Sequence, residues 1–206
     1  RTLWKIGKAD SSSSEFALAP DQYEAFLDHD FGYEDKYFII GYSDESTDFP
    51  YALPGPVDTW GGTWNTAGWR INEVNILFGL EKINKNYDYK LIISLSDYAK
   101  KFLPLLKISV NGQVEKIQLT APGYELDKQP APSLQEPTVN EAELIGNVQT
   151  STYKVIEIPI KGDVLKIGGN IINLTILEGS WVKFDAIRLE GPEDTRLRDN
   201  GQVFLR

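Results

Sequence analysis

The sequence predicts an all-β fold, an antiparallel β-sandwich of jelly-roll type with one or two short helices, and three observations predict it. Residue character alternates along several short runs, most plainly in Val182-Lys183-Phe184-Asp185-Ala186-Ile187-Arg188-Leu189. There apolar groups recur at about every second position, as a strand half-buried in a sheet requires. Turn signals separate the runs, and no sustained helical periodicity interrupts them. A length of 206 residues with 41% hydrophobic content suits one well-buried domain.

Taken in order, residues 3–7 form a short strand, followed by the polar run 11–14 between Asp10 and Glu15. A loop and a short helix are expected next, through Phe16-Ala17-Leu18-Ala19 and Tyr23-x-x-Phe26. Residues 36–42 read as a buried strand and residues 43–48 as a polar turn. A strand resumes at 74–80 and another at 88–96, where Tyr89, Leu91, Ile93 and Leu95 alternate with their neighbours. Asn111-Gly112, inside 108–114, is the strongest hairpin signal, because these residues accept the positive φ that a two-residue turn needs. The stretch 120–152 carries Pro122, Pro130, Pro132 and Pro137, with one short helix expected near 140–145. Loops so long in compact domains are generally functional or mobile. Three strands close the domain at 153–159, 170–177 and 182–190. The domain is expected to span 1–192, and the charged run after Gly191-Pro192 reads as a linker or the start of another domain over 193–206.

Charge and composition exclude several functions. A net charge of -9 argues against nucleic acid, whose phosphates are bound by clustered Lys and Arg. Acidic polymers are repelled at long range as well, so a uronate must be met by a local basic or aromatic patch. No apolar run approaches the ~20 residues of a membrane-spanning helix, and no charged-then-apolar signal opens the chain. With one histidine, His29, and no cysteine, a zinc site is not expected. The absence of methionine leads to the expectation that the chain is a piece of a larger polypeptide.

Several segments together carry a family resemblance: Leu3-Trp4-x-Ile6-Gly7-x-x-Asp10 then Glu15-Phe16; Tyr37-x-Ile39-Ile40-Gly41-x-Ser43; Asp48-Phe49-Pro50; Ile76-x-Phe78-x-Leu80; Val110-Asn111-Gly112; and Phe184-Asp185-Ala186-Ile187-Arg188-Leu189-Glu190. In this order they resemble the carbohydrate-binding-like domain III of polysaccharide lyase family 4, the rhamnogalacturonan lyases, within the galactose-binding-like jelly rolls. The resemblance implies a non-catalytic module of a polysaccharide-degrading enzyme. Its partners would be a polysaccharide or oligosaccharide of pectin or other uronic-acid and rhamnose type, and a catalytic domain in the same polypeptide. An extracellular, periplasmic or cell-surface location is implied too. Two other readings stay open: a structural inter-domain module without glycan affinity, and part of a glycoside hydrolase. No catalytic residue is assigned, since adjacent His29 and Asp side chains on a loop point apart and no carboxylate spacing stands out.

Between Tyr51 and Arg70 the chain departs from the family pattern with a Gly- and Pro-rich insertion holding Trp60, Trp64 and Trp69. An indole exposed on such a loop can stack on a pyranose, with Asp58, Asn65 and Arg70 as candidates for hydroxyls or a carboxylate. The competing reading folds these rings back onto the core and pairs Arg70 with one of the many acids. Lys5, Lys36 and Lys183 read as solvated strand positions. Asp185 is out of step with its apolar neighbours; in related sandwich modules an aspartate near this place helps hold a structural calcium, with Asp10, Glu15 or the Asn170 region as further ligands. The simpler reading is a carboxylate bonded to backbone amides. Asn173-Leu174-Thr175 fits a glycosylation sequon but falls inside a predicted strand.

Overall fold

The structure, a computed structural model, describes residues 1–32, 34–62, 71–121 and 153–198. Its strands are β1 Thr2–Gly7, β2 Lys36–Ile39, β3 Ala52–Leu53, β4 Glu73–Lys82, β5 Asp88–Tyr98, β6 Leu105–Val110, β7 Gln113–Gln118, β8 Lys154–Lys161, β9 Gly168–Glu178, β10 Val182–Glu190 and β11 Arg196–Leu197. Helix is confined, among the described residues, to the single turn α1 Glu45–Asp48 and two 3-10 turns, Tyr23–Phe26 and Thr59–Gly61.

Two sheets face each other, as the alternation predicts. One runs β1-β10-β5-β8, with β3 pairing the start of β10; the other runs β11-β4-β9-β6-β7, with β2 also on β4. Pairing is antiparallel except for β2, which lies parallel to β4 with Phe38 opposite Ile76. The inward residues meet in one core: Val74, Ile76, Phe78 and Leu80 of β4, Ile172, Leu174 and Ile176 of β9, Leu91, Ile93 and Leu95 of β5, and Phe184 and Leu189 of β10 are all fully buried. At about 25 cal/mol per Å² of apolar surface, this two-layer burial is the main term holding the sheets together.

Local chemistry explains the joints. Asn111 and Gly112 take φ of 48° and 90°, the left-handed pair that a tight hairpin needs. Asn111 does more than turn the chain: its Nδ2 donates to Val164 O and Asn170 Oδ1, both at 2.9 Å, tying the hairpin to the loop before β9 and to the start of β9 itself. The polar turn 43–48 closes into α1 because Asp44 caps it, accepting the Ser46 N–H at 2.8 Å. The Ser46 hydroxyl, which donates to the same carboxylate at 2.5 Å, and then this N–H hold the Asp44 carboxyl below its usual range. The sequon asparagine, Asn173, sits mid-strand in β9 and donates to Glu73 and Asn75 across the ladder.

The chain does not leave the sandwich at Pro192. Thr195 is fully buried, its hydroxyl is 2.7 Å from that of Tyr89, and the Arg1 guanidinium donates to its carbonyl. Arg196 and Leu197 then pair with Lys82 and Leu80 of β4, and the Arg198 N–H donates to Gly79 O at 3.0 Å. Residues 195–198 therefore stay against the sandwich, within the stretch 193–206 read from the sequence as a linker or the start of another domain. Residues 199–206 and the helix expected near 140–145 lie outside the described residues.

Candidate functional site

Four separate stretches of chain build one aromatic cleft. Ala52 of β3 pairs with Lys183 of β10, and the Phe184 N–H donates to Tyr51 O at 2.9 Å, so Tyr51 is fixed beside the start of β10. The 3-10 turn Thr59–Gly61 brings Trp60 over the same edge, and the turn Tyr23–Phe26 brings Tyr23 to meet it. Together Asp21, Tyr23, Tyr51, Ala52, Trp60, Trp181 and Lys183 line an open cleft of about 360 Å³.

The loop carrying Trp60 is tied at several points. Asp58 Oδ2 accepts the Gly55 N–H at 2.8 Å and its Oδ1 accepts the Ser180 hydroxyl at 2.6 Å. Gly55 lies so close to the Gly179 carbonyl that a Cβ there would sit 2.2 Å from the oxygen, so only glycine permits the approach. At the other end Asn72 donates to Gly61 O and accepts from Lys36 Nζ at 2.8 Å. Trp60 itself is half-buried: its ring meets Phe26 edge-on at 5.3 Å and 79°, and Tyr23 at 5.9 Å. One part of the indole packs on the core while another lines the cleft.

Lys183 gives the cleft its cation. The ammonium pairs with the Asp21 carboxylate and lies 5.5 Å from the Trp181 ring centroid and 5.8 Å from that of Tyr51. Two aromatic faces and one carboxylate thus fix a side chain that otherwise has many rotamers. Burial, followed by the negative charge of Asp21 and then Tyr23, pushes the Tyr51 phenol up to about 12. At neutral pH that phenol is a proton donor and no base. Asp21 is the one carboxylate among the described residues lining the cleft. His29 is exposed, with Nδ1 2.9 Å from Ala25 O, and is no part of the lining.

Several expectations change. Trp60 is in the cleft; Trp64, Asn65, Trp69 and Arg70 lie outside the described residues. Asp58 does not offer oxygens to a ligand, because both are spent holding the loop and burial pushes its carboxyl up. Lys183 and Lys36 are not solvated: the first is pinned in the cleft, and the second is buried against Asn72 and the Phe26 ring. Lys5 is exposed as expected. Tyr23, Tyr51, Trp181, Lys183 and Asp21 are not site candidates in the sequence reading, although a tryptophan directly after the Gly179-Ser180 turn is an unusual place for an apolar ring.

Asp185, further along β10, is fully buried. Its Oδ1 accepts the Asp10 and Ser12 N–H groups at 3.1 and 3.2 Å, while Oδ2 has no hydrogen-bond partner among the described residues. Calcium takes about six to eight oxygens. Glu15 and Glu45 are occupied by the Lys8 and Gly7 N–H groups, and no cluster of three or more acidic, His or Cys side chains forms among the described residues. Asp185 is placed to anchor the 10–12 loop. Asp185→Ala is expected to lower stability by about 2 kcal/mol through the two lost charge-assisted bonds. Thermal melts of parent and variant would show it.

Comparison with known proteins places the chain in a family. A profile described as "CBM-like: Polysaccharide lyase family 4, domain III" matches residues 2–189. Among solved structures, a family 35 carbohydrate-binding module from an environmental isolate is 13% identical, over 62% of this chain and 71% of its own, with a TM-score of 0.37. A family GH115 4-O-methyl-α-glucuronidase with specificity for decorated arabinogalactans is 13% identical over 60% of this chain, with a TM-score of 0.34. The cycloalternan-forming enzyme of Listeria monocytogenes is 15% identical over 57%, with a TM-score of 0.33. The matched regions make up 14% and 8% of those two larger chains. No curated protein matches significantly. The match over residues 2–189 shows that the chain belongs to the CBM-like domain III family of polysaccharide lyase family 4, and is a non-catalytic carbohydrate-binding accessory module.

Proposed function

We propose that the cleft between Trp60 and Trp181 holds one pyranose unit of a pectic, rhamnogalacturonan-type polysaccharide and thereby keeps an attached lyase domain on its polymer. The observation that carries this reading is the cleft itself: an open hollow of about 360 Å³ walled by Tyr23, Tyr51, Trp60 and Trp181 on a family member of this kind. Aromatic faces pack against the C–H face of a sugar ring, and a few fixed polar groups orient it. Lys183 and Asp21 are those groups. A module with this task works where the polymer is, outside the cell, in the periplasm or at the cell surface.

Titration calorimetry of the chain with rhamnogalacturonan oligosaccharides tests the proposal. Millimolar affinity is expected, since one stacked ring contributes on the order of 1 kcal/mol and association costs offset part of it. Trp181→Ala should weaken binding at least about fivefold, which at this affinity means no measurable heat. Its melting temperature should stay close to that of the parent. Equal binding by parent and variant would remove the cleft from consideration.

A further inference from the structure

We infer that this cleft selects a neutral pyranose over a uronate, and that the Asp21–Lys183 pair sets the selection. The inference rests on the reading of the cleft as a sugar site. Uronate recognition needs a cation whose charge is not already answered. Lys183 is the one cation among the described residues lining the cleft, and its ammonium is engaged by Asp21. A ligand carboxylate would have to displace a carboxylate tethered to the same wall, which has the advantage of high effective concentration.

The surrounding charge acts in the same direction. The segment that supplies Asp21 and Tyr23 also carries Glu24, Asp28, Asp30, Glu34 and Asp35, with no Lys or Arg before Lys36. Lys36 is buried and donates to Asn72 instead of facing a ligand. Negative charge already reaches the floor of the cleft, where Asp21 contributes to holding the Tyr51 phenol high. A second anion there is opposed at contact range by Asp21, and the net negative charge of the segment that carries Asp21 adds a longer-range, salt-screened term.

A neutral sugar finds a better match. The Lys183 ammonium has three N–H donors, and Asp21 presents a second carboxylate oxygen beyond the one that meets Lys183. Donor and acceptor side by side suit two neighbouring hydroxyls, one accepting from Lys183 and the next donating to Asp21. Lys183 is 21% exposed in its side chain and Asp21 64%, so the cation is set inside and the carboxylate guards the mouth.

A trigalacturonate and its full methyl ester, which differ in charge and share the same ring, provide the test by calorimetry. For the parent chain the ester is expected to bind about tenfold more tightly than the acid at low salt, with the gap narrowing as salt rises. Asp21→Asn, an exposed and near-isosteric change, should bring the ratio to about one or reverse it by freeing Lys183. Lys183→Gln should weaken the ester without favouring the acid. The inference is overturned if the parent binds the acid as well as the ester, or if Asp21→Asn leaves the ratio unchanged while Trp181→Ala still abolishes binding. If neither compound binds in a way that Trp181→Ala removes, the sugar-site reading fails and the inference falls with it.

Discussion

Phe49→Ala is expected to remove about 3–5 kcal/mol of folding stability, the range for truncating a fully buried phenylalanine. Its ring is the junction of three others: Phe16 at 5.2 Å, Phe38 at 5.6 Å and Phe184 at 5.1 Å. Those rings come from the segment after β1, from β2 and from β10, so the cavity would open where both sheets and the covering segment meet. The backbone at Phe49 also accepts the Ala17 N–H at 2.9 Å. Chemical denaturation should show a lower midpoint with an unchanged slope, whereas Tyr42→Ala, at a residue 80% exposed, should stay within about 0.5 kcal/mol of the parent. A functional consequence follows, because residues 16–26 carry Asp21 and Tyr23 to the cleft. Sugar binding should weaken in Phe49→Ala even where the variant remains folded, since one wall of the cleft has lost its footing.

The strands were legible because burial on one face writes itself into local alternation, and the Asn111-Gly112 turn because positive φ restricts residue type. Asp185 shows where that code is interrupted. The pairing of β10 with β5 shifts register on both sides of Phe184, so Asp185, Ala186 and Ile187 are all buried in succession. The shift turns Asp185 toward the Asp10 and Ser12 amides, which period-two reading could only register as an apolar run with a misplaced acid. The cleft was harder to see. Its residues come from 21–23, 51–52, 60 and 181–183, and they meet because β3 pairs with β10, a long-range fact with no local signature. Lys183 occupies an outward strand position, so alternation assigns it to water. Only the neighbouring loops, which place Tyr51, Trp181 and Asp21 around it, make that position a site. Trp60 was found because tryptophan in a Gly- and Pro-rich loop is anomalous in composition alone.

Trp60→Ala is expected to lose both binding and stability, unlike Trp181→Ala, because the indole is a strut as well as a wall. Its edge-on contact with Phe26 and its tilted contact with Tyr23 join the loop 54–62 to the turn at 23–26. Removing a half-buried indole with two aromatic partners should cost about 2 kcal/mol, less than the full cost of a buried tryptophan. Tyr23, exposed on its other side, would lose its support, so the sugar would face a shortened and looser wall. Binding heat should therefore vanish together with a lowered melting temperature. Trp60→Phe separates the two roles: a smaller ring still reaches Phe26 and should recover most of the stability, while offering less face to the sugar and recovering less of the affinity. A variant that melts early yet binds normally would make Trp60 a strut alone. One that melts normally yet fails to bind would mean that the indole stands free of Phe26 and serves the ligand only.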